Sequence, residues 1–150
     1  LHRATLQSSV TVDWAAKTAA APSAGTAYAL QFLCTLLPTL LIEGALLLLY
    51  GYRSRRSWLV FLLVNLVTQG AFAAYLAVTV LSHGASRWSL LFYLPAEVVI
   101  TVVESLLYRR LLTERSWERA VGYAIVANVC SATVGALLID PLWRFIVSIS

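Results

Sequence analysis

Inside long apolar stretches of this sequence stand polar side chains able to do chemistry: Glu43, Asn65, Thr68, Gln69, Glu97, Thr101, Glu104, Asn128 and Ser131. Carboxylates, amide oxygens and hydroxyls form an oxygen-rich donor set suited to protons and hard cations. An ionised carboxylate at mid-depth in a bilayer costs about 2.5–3.5 kcal/mol before partners are counted. With no Lys in the stretches and no Arg beyond Arg119 at the edge of the last, ion pairs within the chain cannot balance all three acids. Each acid must carry a proton, hold a cation or meet a partner. The plainer expectation is that Glu–Asn and Glu–hydroxyl hydrogen bonds lock helices together, at around 0.6 kcal/mol per contact.

Helical spacing says which groups can meet. Glu97, Thr101, Glu104 and Tyr108 follow four- and three-residue steps, which predicts one stripe down a helix. Asn65, Thr68 and Gln69 share a second face, and Asn128 with Ser131 a third. Counting about 1.5 Å per residue puts Glu43 and Asn65 at similar depth. The set is expected to converge in one half of a bundle, with Glu97 extending it inward.

The stretches that carry these groups run over 28–50, 58–81, 89–108 and 119–139, each near the roughly 20 residues that cross a bilayer as a helix. The chain is 60% hydrophobic and 12% charged, against about 25% charged in soluble domains. The expectation is an all-α membrane protein, a four-transmembrane-helix bundle over 28–139. Residues 1–27 read as an extracytoplasmic tail or interfacial segment, with Leu6, Val10 and Trp14 allowing a short surface helix. Residues 140–150 read as an outer interfacial segment after a stop at Asp140-Pro141.

Seven of the eleven basic residues lie in or beside two short links, as Arg53, Arg55, Arg56, Arg109, Arg110, Arg115 and Arg119. That bias predicts Arg-rich loops in the cytoplasm and both termini outside. It also reads the net charge of +4 as topology rather than as a nucleic-acid surface. Tyr50, Tyr52, Trp58, Tyr108 and Trp117 are expected at the cytoplasmic headgroups, and Tyr28, Trp88, Tyr93 and Trp143 at the outer ones. Cys34 and Cys130 are expected to pack as small apolar groups. The chain has no methionine, and the expectation is that Leu1 follows a cleaved signal peptide or opens a fragment.

The two halves are alike. Glu43, an Arg-rich turn with Arg56-Ser57-Trp58, and Asn65-x-x-Thr68 are echoed by Glu104, a turn with Arg115-Ser116-Trp117, and Asn128-x-x-Ser131. This predicts a two-helix hairpin used twice. A small-residue ridge of Ala120, Ala124, Ala127, Ser131 and Gly135, with a second of Gly70, Ala74 and Ala77, predicts close helix packing. Pro38 is expected to bend the first helix.

No His or Lys lies in a stretch, and there is no Ser-His-Asp set, H-E-x-x-H, P-loop or C-x-x-C. An enzyme is not expected, and no cofactor or metal is indicated. The Glu43, Asn65-x-x-Thr68-Gln69, Glu97/Glu104 and Asn128-x-x-Ser131 stretches resemble uncharacterised small bacterial four-helix membrane proteins with a signal peptide. That resemblance transfers no activity; the expectation of a bacterial cytoplasmic membrane comes from the Ala-, Leu-, Arg- and Trp-heavy composition. A glutamate in the first of four short spans is also similar to small multidrug exporters, at the level of fold alone. Two functions compete. One is an accessory or scaffold subunit of a larger membrane complex, with a membrane-protein partner. The other is a proton- or cation-coupled transport or permeation protein, a homo-oligomer, using the glutamates.

Overall fold

In the computed structural model the described residues are 11–20, 24–83 and 89–149. Four helices dominate: α1 (Ala24–Leu49), α2 (Arg55–His83), α3 (Ser89–Leu111) and α4 (Trp117–Ile149). Before them, β1 (Thr11–Asp13) pairs antiparallel with β2 (Thr18–Ala20). The helical segment allowed around Trp14 is therefore a hairpin from residue 11 onward; residues 1–10 lie outside the described residues. Asp13 Oδ1 accepts from the N–H groups of Ala15 and Ala16, a local turn that competes with helix.

Long apolar runs become helices because a helix satisfies its own backbone wherever water is scarce. Three of them are long and apolar enough to cross a membrane, over Phe32–Leu49, Arg55–Thr79 and Trp117–Leu137. Their outward residues are bare hydrocarbon: Leu41 is 74% and Leu49 80% exposed, and Leu63, Val67, Val129 and Leu137 also face outward. An apolar girdle of that extent is compatible with a membrane protein. α1 passes through Pro38 as one helix. α4 runs through Asp140-Pro141 to Ile149, so the expected stop does not occur. With apolar Leu142, Trp143, Phe145, Ile146 and Val147 beyond the proline, helix remains the state in which the backbone is paired, and one missing N–H is tolerated.

The helices form a ring in which α1 packs on α2 and α4, and α3 packs on α2 and α4. The α1–α2 and α3–α4 turns lie together at one end, which carries the arginines. Burial concentrates in that half, in Leu47, Tyr52, Phe61, Val64, Tyr108, Leu112, Ala120, Tyr123, Ala124 and Ala127. Ala120, Ala124 and Ala127 are fully buried, so α4 approaches its neighbours closely there. Ser131 is buried on the same face, but Gly135 and the second ridge do not pack in this way. A Cβ at Gly70 or Gly135 would meet nothing within 4 Å, and Ala74 is exposed. The inward line on α2 is Phe61, Val64, Asn65 and Thr68, which places Gly70 about half a turn away.

Candidate functional site

Glu43, Asn65, Thr68, Glu104, Asn128 and Ser131 are buried together inside the arginine half of the bundle. Each arrives there by helical spacing: Leu36, Glu43 and Leu47 line the inner side of α1, while Ile100, Glu104 and Tyr108 line that of α3. Thr68 Oγ1 meets Glu104 Oε1 at 2.5 Å, and Asn128 Nδ2 donates to Glu104 Oε2 at 2.6 Å. Ser131 Oγ donates to Glu43 Oε1 at 2.8 Å. The Asn65 side chain lies beside the Glu43 carboxyl as its fourth-helix counterpart lies beside Glu104.

These contacts repeat across the bundle. Each glutamate meets the asparagine of its own helix pair and the hydroxyl of the other pair: Glu43 with Asn65 and Ser131, Glu104 with Asn128 and Thr68. Both amides also bond the carbonyl four residues earlier, Phe61 at 3.3 Å and Ala124 at 3.0 Å, which fixes the face each presents.

Three expected members stand elsewhere. Glu97 and Thr101 are half-buried and line a groove between α3 and α4 rather than the interior. The inward line on α3 steps by four through Ile100, Glu104 and Tyr108, which leaves Glu97 to the side of Ile100. The Thr101 hydroxyl donates to the Glu97 carbonyl at 2.9 Å. Gln69 is half-buried at the edge of the α2 face. Cys34 and Cys130 are free thiols.

Three tyrosines complete the site, and two were expected at the headgroups. Tyr52 and Tyr108 are fully buried instead, around Tyr123, with ring centroids 6.1 and 5.3 Å from it. Asn65 Nδ2 donates to the Tyr108 hydroxyl at 3.0 Å, and the Tyr123 hydroxyl donates to the Glu43 carbonyl at 3.3 Å. Amphipathic rings suit an interface, but a hydroxyl with a buried partner suits the interior equally well. Trp117 keeps the expected exposure and lies 4.8 Å from the Arg109 guanidinium. The side chains of Tyr28, Trp88, Tyr93 and Trp143 lie outside the described residues.

The two arginine-end turns are joined by a residue that sequence spacing did not single out. Ser54 caps α2, its Oγ accepting from the Ser57 N–H at 3.1 Å. A capping box would place a Glu at Ser57 to reach back to the cap's own N–H. Here Glu114 reaches across from the other turn, accepting from the N–H groups of Arg53 and Ser54 at 3.1 Å and from Ser57 Oγ at 2.8 Å. Arg115 answers by donating to the Gly51 carbonyl. Gly51 holds φ 89°, a left-handed conformation that favours glycine.

The backbone N–H groups of Arg53 and Ser54, then Ser57, hold the exposed Glu114 carboxyl down at about 2 against the ordinary 4.5. The unfolded chain therefore takes up this proton first on acidification. The stabilisation is complete above pH 4.5 and fades as pH falls toward about 2. Glu114→Gln is expected to flatten that part of the stability–pH curve, measured by detergent-micelle unfolding at acid pH. An unchanged curve would show that the turn–turn clasp adds nothing.

Among the described residues no group of three His, Cys, Asp or Glu side chains could hold a metal ion. The groove between α3 and α4 has a volume of about 630 Å³. Glu97, Thr101 and Ser105 line it at successive turns, among Leu94, Val98 and Val102, and it reaches Arg109 at the arginine end. Comparison with protein-family models, with curated proteins and with solved structures finds no match for this chain.

Proposed function

We propose that all four helices cross a membrane, with the arginine turns cytoplasmic and both termini outside, and that the protein is a non-catalytic accessory subunit of a membrane complex. The arginine bias supports the orientation, and the repeated Glu–Asn–hydroxyl contacts support a hairpin unit used twice. The groove between α3 and α4 carries the functional part of the reading. It lines an open groove with a glutamate and a run of hydroxyls, and Glu43 and Glu104 lie apart from it inside the bundle.

A transmembrane helix with an Arg or Lys at the depth of Glu97 is the occupant whose charge fits. A second copy of this chain fits poorly. A two-fold axis along the membrane normal keeps depths equal, so Glu97 would face Glu97 and Arg109 would face Arg109. The interior hydrogen bonds hold the surface rigid, which limits what docking must order.

Photo-crosslinkers at Val98 and Val102, with controls at Leu41 and Leu63, test this in native membranes. Groove positions are expected to capture a helix bearing a basic residue, and Glu97→Leu to weaken that capture at least about tenfold, roughly 1.4 kcal/mol. Adducts confined to lipid, adducts with a second copy, or a partner helix with no basic residue at that depth would each overturn the reading.

A further inference from the structure

We infer that a notch at the start of α2 binds an anionic phospholipid, with Arg53 and Arg55 on the headgroup phosphate and Leu59 and Leu62 against an acyl chain. The inference rests on the membrane-crossing reading above, because the ligand belongs to that membrane. It does not depend on what fills the groove between α3 and α4, with which the notch shares no residue.

The notch is shallow, with a volume of about 340 Å³, and is lined by Arg53, Arg55, Trp58, Leu59 and Leu62. Its chemistry changes along the helix. Two guanidiniums belong to the turn, and about 6 Å further down the axis the wall is hydrocarbon. A phospholipid has that same layout, with charge at one end and chain at the other. Leu59, Leu62 and Leu66 step by three and four residues, so they form one exposed stripe leading away from the arginines. A free phosphate would engage the guanidiniums and leave the stripe bare.

Trp58 forms a fixed side wall. Its ring meets Phe61 edge-on at 5.6 Å and 86°. A Cβ at Gly44 would stand 3.4 Å from its Cη2 and Cζ3 atoms, so the indole is seated against α1. An amphipathic ring held at this end suits the headgroup level. The charges are set up for an anion, since no acidic side chain lines the notch. Glu114, the acid of the facing turn, accepts from the backbone N–H groups of Arg53 and Ser54 and from Ser57 Oγ, and so holds the backbone that carries Arg53. Guanidiniums bind phosphate oxygens through paired, charge-assisted hydrogen bonds. A zwitterionic headgroup would bring its own ammonium beside the two arginines, which favours a lipid of net negative charge.

Native mass spectrometry of the full chain, released from nanodiscs of phosphatidylglycerol and phosphatidylcholine with matched acyl chains, tests the site. Wild type is expected to retain phosphatidylglycerol at least about tenfold better than phosphatidylcholine. Arg53→Gln/Arg55→Gln should abolish most of that preference. Arg56→Gln/Arg110→Gln, which removes two charges from the same end but outside the notch, should keep it. Excess inorganic phosphate should leave the lipid in place. Equal retention of the two lipids by wild type, a reading that needs no variant, overturns the proposal. So does equal loss in both double variants, which would mean a diffuse charge effect, or displacement by phosphate, which would mean a free-anion site. A chain that enters neither nanodisc defeats the membrane-crossing reading and the lipid site together, whereas one that enters both and retains neither lipid defeats the lipid site alone.

Discussion

Replacing Tyr123 with alanine is expected to lower the unfolding free energy by about 3–5 kcal/mol, whereas Tyr123→Phe should lower it by about 1 kcal/mol. The ring is fully buried, with Tyr108, Tyr50 and Tyr52 at centroid distances of 5.3, 5.8 and 6.1 Å. It therefore joins the end of α3, the end of α1 and the turn that follows α1. In an apolar solvent the gain from such a ring is packing rather than release of water, so an unfilled volume is the main penalty. The hydroxyl adds a 3.3 Å bond to the Glu43 carbonyl, long enough to be worth little alone. Reversible unfolding in mixed detergent micelles, followed by tryptophan fluorescence, separates the two contributions. Equal losses in both variants would show that the hydroxyl, and not the ring, is what anchors this end of the bundle.

The sequence was most informative where periodicity and cost coincide. Glutamates in apolar helices are expensive enough that Glu43 and Glu104 had to face inward, and the three-residue pairs Asn65–Thr68 and Asn128–Ser131 on the other two helices turn in to meet them. Glu97 obeys the same cost but not the same outcome. Seven residues from Glu104 is close to two helical turns, yet the inward line drifts around α3 as it steps by four, and a small angular offset decides between interior and groove. Gly70 and Gly135 show a second limit: small residues permit close approach without causing it, and what draws the helices together lies around Ala120–Ala127 and the polar cross-links. Tyr52 and Tyr108 show a third, because an amphipathic ring reads as interfacial until its hydroxyl's partner is known. Glu114 was invisible for a simpler reason. Its partners are backbone N–H groups some sixty residues away, and no side-chain pattern announces those.

Asn128→Leu should cost about 2–3 kcal/mol, the scale of a buried hydrogen bond to a charged group. The substitution nearly preserves volume, so packing changes little; what disappears is the Nδ2 donor 2.6 Å from Glu104 Oε2. That oxygen is fully enclosed, and no water can replace the lost partner without opening the bundle. If the penalty comes from the stranded oxygen, removing the oxygen as well should recover most of it. The pair Asn128→Leu/Glu104→Leu is therefore expected to be more stable than Asn128→Leu alone, since two apolar groups of similar shape leave nothing unsatisfied. Thr68 tolerates the change because its hydroxyl also lies 2.9 Å from the Val64 carbonyl of its own helix. A double variant weaker than Asn128→Leu would mean that Glu104 stabilises the bundle through a contact other than the asparagine, and the carboxylate would then owe its place to Thr68 or to a ligand it holds. A double variant that recovers stability while losing capture of the proposed partner helix would separate the two roles of these helices: the interior pair would be exchangeable for hydrocarbon, and the groove line of Glu97, Thr101 and Ser105 would depend on the geometry the pair imposes on α3 and α4.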